Sequence, residues 1–358
     1  MSQFVHLNNG HLEVGEVPFR HVGVNVRYLP YYGDVHGTTK EDIDTNLGIF
    51  SQMGAKVVRI FAANKRLSHS GAASRILSLA DKASGYGMRL LVSLTDAYCS
   101  DRQPQGDEAY CSPTPSGYSL LNDDWYAGGY ESNYLPWVRA VVGLLANHPG
   151  IFAWEIGNEL KNESRPELII PMSNRTVQEI RALDPNHLIA TGHTGEWALL
   201  DEQQSRQWYE PFDIVQFHTY DGEFKNSHAD LAHSMGKAHI VGEAGYTAQC
   251  GEGARGPRVS ADLAWMDSVQ SDGYYPWGAQ AQARDIGDGD NIYGFDQYCH
   301  TDFGDIYSVL RDYAAGLPVV PAPTPPPTPV ESNFPLFLIA LLGGGILLAY
   351  LLRRGGLG

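Results

Sequence analysis

Residues 151–160 read IFAWEIGNEL. The first half is an apolar run without turn residues, which fits a strand buried on both faces. The run nevertheless delivers an amide and a carboxylate, Asn158 and Glu159, to its tip. A parallel barrel resolves the contradiction. Its strands are apolar along their length, and its functional groups sit at their C-terminal ends.

The rest of the chain repeats the pattern. Short β-rich runs occur at HVGVNVRYL (21–29), KVVRIFAA (56–63), RLLVSLTD (89–96) and HLIATGHT (187–194). Others are DIVQFHTY (213–220), HIVGEAGY (239–246) and YYPWGAQ (274–280), which with 151–158 makes eight. Helical spacing falls between them, at 38–54, 72–86, 134–147, 166–183, 227–235, 260–271 and 303–315, with a weaker stretch at 196–208. Thr38 and Glu41 stand at capping-box spacing before the first. Eight alternating units predict an α/β fold, a (β/α)8 TIM barrel, as a single domain over 1–317. A doubly wound sheet is the rival. It usually carries a glycine-rich phosphate loop after a strand, and no GxGxxG or GxxxxGK[ST] is present.

Composition narrows the partners. The 358 residues carry a formal net charge of −16, which disfavours nucleic acid and points to a neutral or cationic substrate. No cofactor motif is evident. Four cysteines, Cys99, Cys111, Cys250 and Cys299, form no CxxC pair, so metal is not expected. Two disulfides fit, with Cys99–Cys111 and Cys250–Cys299 favoured among the three pairings; four free thiols are the alternative. The acidic, glycine-rich stretch 284–300 lacks the ligand pattern of a calcium loop.

The ends differ. The first ten residues lack the basic segment and apolar core of a signal peptide. Residues 318–332 form a Pro/Thr-rich linker, expected to be extended. The span 334–352 carries no charge over 19 residues, enough to cross a bilayer as one helix within 333–354. Arg353 and Arg354 follow, which holds the tail 355–358 in the cytoplasm and the main domain outside. A membrane anchor is therefore expected, and the export route is unexplained.

Strand ends supply the chemistry. Asn25 and Arg27 lie near the end of strand one, Arg59 on strand two, His218 and Tyr220 on strand six, Glu243 on strand seven and Trp277 on strand eight. Glu159 and Glu243 would face each other across the mouth. Paired carboxylates suit glycosidic cleavage, in which one acid protonates the leaving oxygen and one carboxylate attacks or activates water. Glu155 shares the side of Glu159 by alternation but lies deeper, as a structural acid. Asp96 and Glu196 are candidate rim contacts. His193, His187, His239 and His300 fit structural or exposed positions. Residues 97–133 form a long connection holding Tyr98, Tyr110, Tyr118, Trp125, Tyr126 and Tyr130. It is expected to wall the cleft, stapled by Cys99–Cys111, with Tyr28, Tyr31 and Tyr32 extending it.

WEIGNE and GEAGY, with HTY between them, resemble the clan A glycoside hydrolases, especially family 5. The resemblance covers about residues 20–317. It implies Glu159 as acid/base, Glu243 as nucleophile, and retention. It also implies Asn158 on the sugar 2-hydroxyl, Arg59 and Tyr220 orienting the nucleophile, His218 beside the acid/base, and Trp277 flooring the subsite at the cleaved bond. RIFAANK, VSLTDAY and VQFHTYDG look more like endo-β-1,4-mannanase strand ends than cellulase ones. Ala62 and Ala63 depart from that pattern, since mannanases tend to carry a bulkier aromatic and polar pair there. The polysaccharide substrate implied is thus β-mannan, with β-1,4-glucan or another β-glucan as runner-up. A transglycosylase and a membrane-tethered carbohydrate-binding barrel without turnover are the other classes.

Overall fold

The computed structural model describes residues 3–34, 38–99, 102–114, 117–194, 200–248, 254–278 and 303–324. Eight parallel strands close a barrel in chain order. They are β1 His21–Asn25, β2 Val57–Phe61, β3 Arg89–Ser93 and β4 Ile151–Glu155, then β5 Leu188–Ala190, β6 Ile214–Tyr220, β7 Ala238–Gly245 and β8 Gly273–Pro276. The expected (β/α)8 architecture is present. Every residue of the first four strands is buried, as parallel strands covered by helices require.

Helices α1 Glu41–Gln52, α2 His69–Gly85, α3 Tyr134–Leu145 and α4 Ile169–Leu183 follow the first four strands. Helices α5 Glu202–Tyr209, α6 Asn226–Ser234, α7 Gly256–Ser268 and α8 Phe303–Ala314 follow the rest. Helix α3 shows why such segments pack. Tyr134, Leu135, Trp137, Val138, Val141, Val142 and Leu145 form one buried stripe at helical spacing. Each such side chain contributes about 1.5–3 kcal/mol when fully buried.

Helix starts correct two readings. The capping box expected at Thr38 and Glu41 is absent. Lys40 occupies the N-cap without a side-chain bond, and the Thr38 hydroxyl instead accepts from the Gly33 N–H. The box that does form is at α5, where Asp201 and Gln204 bond reciprocally. The weaker stretch 196–208 thus holds a well-capped helix starting later.

The chain also builds an N-terminal element that its barrel pattern does not announce. Val5–Asn8 and His11–Val14 pair antiparallel around Asn9 and Gly10, both at positive φ. That is the geometry of a two-residue hairpin turn, for which Asn-Gly is the preferred pair. Val5, Leu12 and Val14 pack with Phe19 against Val57, Leu91, Phe152 and Tyr275. The hairpin closes the strand-start end of the barrel and leaves the opposite end for the site.

The connection after β3 is partly core. Trp125, Tyr126 and Tyr130 are buried beneath it, and so are Tyr31 and Tyr32 after β1, so none of these walls a cleft. Tyr118 is exposed. Cys99–Cys111 is a disulfide, as expected. Cys250, Cys299, Glu196, His300, the stretch 284–300 and the span 334–352 lie outside the described residues. Among the described residues, no helix is long and apolar enough to cross a membrane.

Candidate active site

Strand β2 places Arg59 at the centre of the mouth. The side chain is fully buried, and every N–H of its guanidinium is used. Nε and Nη2 grip Glu155 at 2.7 and 2.6 Å as a planar fork. Nη1 donates to Glu243 at 2.6 Å and to Asn25 at 2.9 Å, and Nη2 also donates to Asn158 at 2.8 Å. One side chain on β2 therefore ties together groups from three other strands, β1, β4 and β7. Burial opposes its charge, and the two carboxylates more than restore it, holding the guanidinium above its ordinary value.

Glu155 is the deep, same-side acid that alternation predicts. After it the chain leaves the strand. Asn158 bridges to Asp96, its Nδ2 donating to the Asp96 carboxylate at 2.9 Å. Asp96 is fully buried and also meets Arg102 at 2.7 Å. It is not a rim contact; it orients Asn158 from behind. Glu159 follows at φ 48, a left-handed conformation uncommon for a residue with a side chain. The Gly192 carbonyl holds the Glu159 N–H there at 2.8 Å. Gly192 itself sits at φ +67, and a Cβ on it would lie 2.0 Å from the Gly157 oxygen. Only glycine leaves room for this approach.

Strands β6 and β7 bring the partner. A register shift between Phe217 and His218 sets His218 opposite Glu243. Such bulges re-aim side chains at barrel mouths. His218 Nδ1 lies 2.8 Å from Glu159 Oε1 and 3.4 Å from Glu243 Oε2. Tyr220 donates its hydroxyl to Glu243 at 2.6 Å, and Tyr98 donates to Glu159 at 2.8 Å. One oxygen of each glutamate and His218 Nδ1 all lie within 4.8 Å of one another. Trp277 stands near this group, 5% exposed, edge-on to Phe61 and with the Arg27 guanidinium 4.9 Å above its ring.

A cavity of about 340 Å³ opens beside Glu159, lined by Tyr98, Thr194, Phe217, His218, Tyr220 and His228 among others. Ala62 and Ala63 are buried in the barrel wall and do not reach it. His187, His193 and His239 are buried and hydrogen-bonded, as structural histidines should be.

The two glutamates meet different donors. Glu243 receives a permanent cation and a hydroxyl; Glu159 receives an imidazole and a hydroxyl. Burial raises the Glu159 carboxyl, and an imidazolium at His218 would outweigh it and hold the group low. The network indicates a neutral imidazole instead. Gln216 Nε2 donates to Glu155 at 3.0 Å and faces His218 Nε2 at 2.9 Å. The amide N–H thus fills the Nε2 lone pair and leaves the ring proton on Nδ1, toward Glu159. A neutral ring removes the imidazolium's pull toward ionisation and leaves burial, which raises Glu159, set against the Tyr98 hydroxyl and Lys161, which lower it. Burial raises Glu243, with the Arg59 cation opposing it. Two carboxyls this close titrate as a pair. The charged guanidinium donates to Glu243 and not to Glu159, and so favours the ionised form of Glu243.

Among the described residues, Glu159, His218 and Glu243 are the one set of His and acidic donors close enough to share a metal. The guanidinium hydrogen bond to Glu243 argues against that use, since a second cation would face Arg59 at close range.

The sequence expectations for Glu159, Glu243, Arg59, Asn158, His218 and Tyr220 all converge at one mouth, with Trp277 beside them. Sequence reasoning missed Gln216, placed Asp96 at the rim, and counted Tyr98 only among loop tyrosines. The signal for Tyr98 was its position next to Cys99, whose disulfide ties down that loop.

Comparison with known proteins identifies the family and the fold. The mannan endo-1,4-beta-mannosidase A of Podospora anserina is 25% identical over 302 residues, covering 72% of this chain and 79% of its own. The mannan endo-1,4-beta-mannosidase F of Aspergillus clavatus is 24% identical over 305 residues, covering 69% of this chain and 67% of its own. In fold, the endo-1,4-beta-mannanase of Rhizomucor miehei superposes with a TM-score of 0.68 at 16% identity, covering 87% of this chain and 99% of that one. The mannanase of Thermotoga petrophila gives 0.64 at 20% identity, covering 83% and 99%. The cellulase model of glycosyl hydrolase family 5 matches residues 20–284, most of the chain, and the chain belongs to that family.

Proposed function

We propose that this O-glycoside hydrolase is a retaining endo-β-1,4-mannanase with Glu159 as acid/base and Glu243 as nucleophile. The observation that carries the reading is the spacing of the pair: an oxygen of each lies within 4.8 Å of the other. That is too close for the inverting arrangement, whose carboxyl groups stand about 6.5–9.5 Å apart to admit water, and falls near the retaining one, at about 5–5.5 Å. Protonated Glu159 gives its proton to the leaving oxygen as ionised Glu243 attacks the anomeric carbon from the opposite face. The glycosyl–Glu243 ester forms and the glycosidic bond breaks. Glu159, now ionised, takes a proton from water, which displaces Glu243 and restores the original anomer.

Asn158 is suited to the sugar 2-hydroxyl, because Arg59 and Asp96 fix its amide. Trp277 offers an indole face to the C–H side of a pyranose. The mannan lean rests on the strand-end resemblance and on what the similar curated proteins are named for. The 334–352 span is proposed as an anchor that holds the domain outside, on its length, lack of charge and following arginines. Carbonate extraction of the full chain tests it; release with the soluble fraction refutes it.

Glu243→Ala should abolish turnover while leaving oligosaccharide binding measurable by calorimetry. Equal turnover in variant and parent removes Glu243 from the mechanism. A panel of mannan, glucomannan, carboxymethyl-cellulose and laminarin decides the substrate; activity on cellulose alone defeats the mannan lean and favours the glucanase reading.

A further inference from the structure

We propose that Gln216 is a positioning residue that fixes His218 in its Nδ1–H form and thereby keeps the catalytic proton on Glu159. This rests on the acid/base reading of Glu159 above.

The geometry is over-determined. Gln216 is fully buried on β6, two residues before His218 and on the same face. Its Nε2 contacts Glu155 Oε2 at 3.0 Å and His218 Nε2 at 2.9 Å. The reversed amide would aim an oxygen at the Glu155 carboxylate, acceptor against acceptor. Glu155 cannot turn away, because Arg59 holds both its oxygens. The amide nitrogen must therefore be the inward group, and it has N–H bonds to give to both neighbours. His218 Nε2 can then only accept.

The surrounding structure pays for this arrangement twice. Gly242 on β7 leaves the space, since a Cβ there would fall 2.2 Å from Gln216 Nε2. Gln216 Oε1 is buried with no hydrogen-bond partner. An orphaned buried carbonyl costs about 1–3 kcal/mol, so the residue is kept for its nitrogen. A chain of contacts results, Arg59–Glu155–Gln216–His218–Glu159, joining the cation that serves the nucleophile to the proton donor.

The charged and titratable groups facing His218 all bear on the test. Glu159 and Glu243 approach Nδ1, and Glu155 lies behind Gln216. Lys161 pulls Glu159 toward ionisation, in the direction an imidazolium would. His193 is held uncharged by burial. Gln216 is the group that denies His218 a second proton.

The experiment has two arms on the full chain. Nitrogen-15 NMR of histidine-labelled protein, with His218 assigned by its loss in His218→Asn, reads the ring directly. A protonated Nδ1 and a bare Nε2 across the active pH range support the proposal. An Nε2–H form or an imidazolium overturns it, whatever the protein hydrolyses. In the second arm, Gln216→Met keeps the length and removes the donor. Its kcat on the glycan should fall about 10–100-fold at neutral pH, part of the usual contribution of a general acid. The basic limb of kcat/KM should move to lower pH, and an aryl β-glycoside with an activated leaving group should lose far less. Equal losses on both substrates with an unmoved limb refute the role. Parent protein inactive on every glycoside, with the expected NMR signature intact, would sink the hydrolase reading and spare the tautomer.

Discussion

Arg59→Met should both destabilise the barrel and move the acidic limb of the pH–rate profile to higher pH. Five hydrogen bonds disappear, and two carboxylates, Glu155 and Glu243, stay buried without their shared cation. Breaking a buried ion pair from one side costs about 3–5 kcal/mol, a large part of a typical domain stability of about 5–15 kcal/mol. The cation also pulls Glu243 toward ionisation, so its removal lets this proposed nucleophile hold a proton to higher pH. Arg59→Lys is the control. It keeps the charge but cannot reproduce the fork, so at least two hydrogen bonds to charged or amide acceptors go, a loss of about 3 kcal/mol. Urea unfolding measures the first effect and kcat/KM against pH the second. Both variants should lose stability; the limb should move in Met and hold in Lys. A folded Met variant with the parental limb, or equal shifts in both, would refute the assignment of Arg59 to Glu243.

Gly192→Ala places a β-carbon in a left-handed position, which alone costs about 1–2 kcal/mol. Overlap with Gly157 and Glu155 adds to it, so melting temperature and kcat should fall together; an unchanged Tm contradicts the close approach. Asp272 is pushed up to about 8 by burial, from 3.8. The folded chain thus keeps a proton that the unfolded chain releases, and stability should fall as pH rises from about 4 to about 8. Asp272→Asn should flatten that slope in urea titrations at pH 5 and 8, and an identical slope counts against it. Paired Cys99→Ser and Cys111→Ser substitutions open a loop with a sequence separation of 12, worth up to about 3 kcal/mol. They should also lower kcat by loosening Tyr98 over Glu159; retention of full kcat would separate the staple from the site.

The barrel was legible because its signal is repeated. Most strands are nearly continuous apolar runs, and several deliver at their tips a residue type that an ordinary buried strand would not carry. That mismatch singled out Glu159 and Glu243, and their proposed roles came from the family resemblance of WEIGNE and GEAGY taken together. What escaped were features whose meaning depends on a partner far along the chain. Gln216 looks like one more polar residue in VQFHTY until Glu155 and His218 are seen at its amide. Asp96 ends a strand, as a rim residue would, yet the chain folds Arg102 over it and buries it. The N-terminal hairpin was missed for a different reason. Its Asn9-Gly10 turn is a strong local signal, but its strands are four residues each and pack on the closed end of the barrel. The capping box at Thr38 failed because the loop drew the threonine toward Gly33 before the helix began.

The harder question is how one mouth makes two identical side chains unequal. Three carboxylates, Glu155, Glu159 and Glu243, share a buried space with one permanent cation in hydrogen-bond contact. If Glu159 and Glu243 both ionised within 4.8 Å, their repulsion at an effective dielectric of about 20 would be about 3–4 kcal/mol. One of them must keep a proton. In the proposed mechanism Arg59 decides which, since it donates to Glu155, Glu243, Asn25 and Asn158 and not to Glu159. Gln216 then closes the remaining escape, since an imidazolium at His218 would supply Glu159 with the hydrogen-bonded cation it lacks. The asymmetry therefore does not reside in either glutamate. It is set by where two donors on β2 and β6 point, which is why a substitution that never touches a sugar can exchange a proton donor for a bystander.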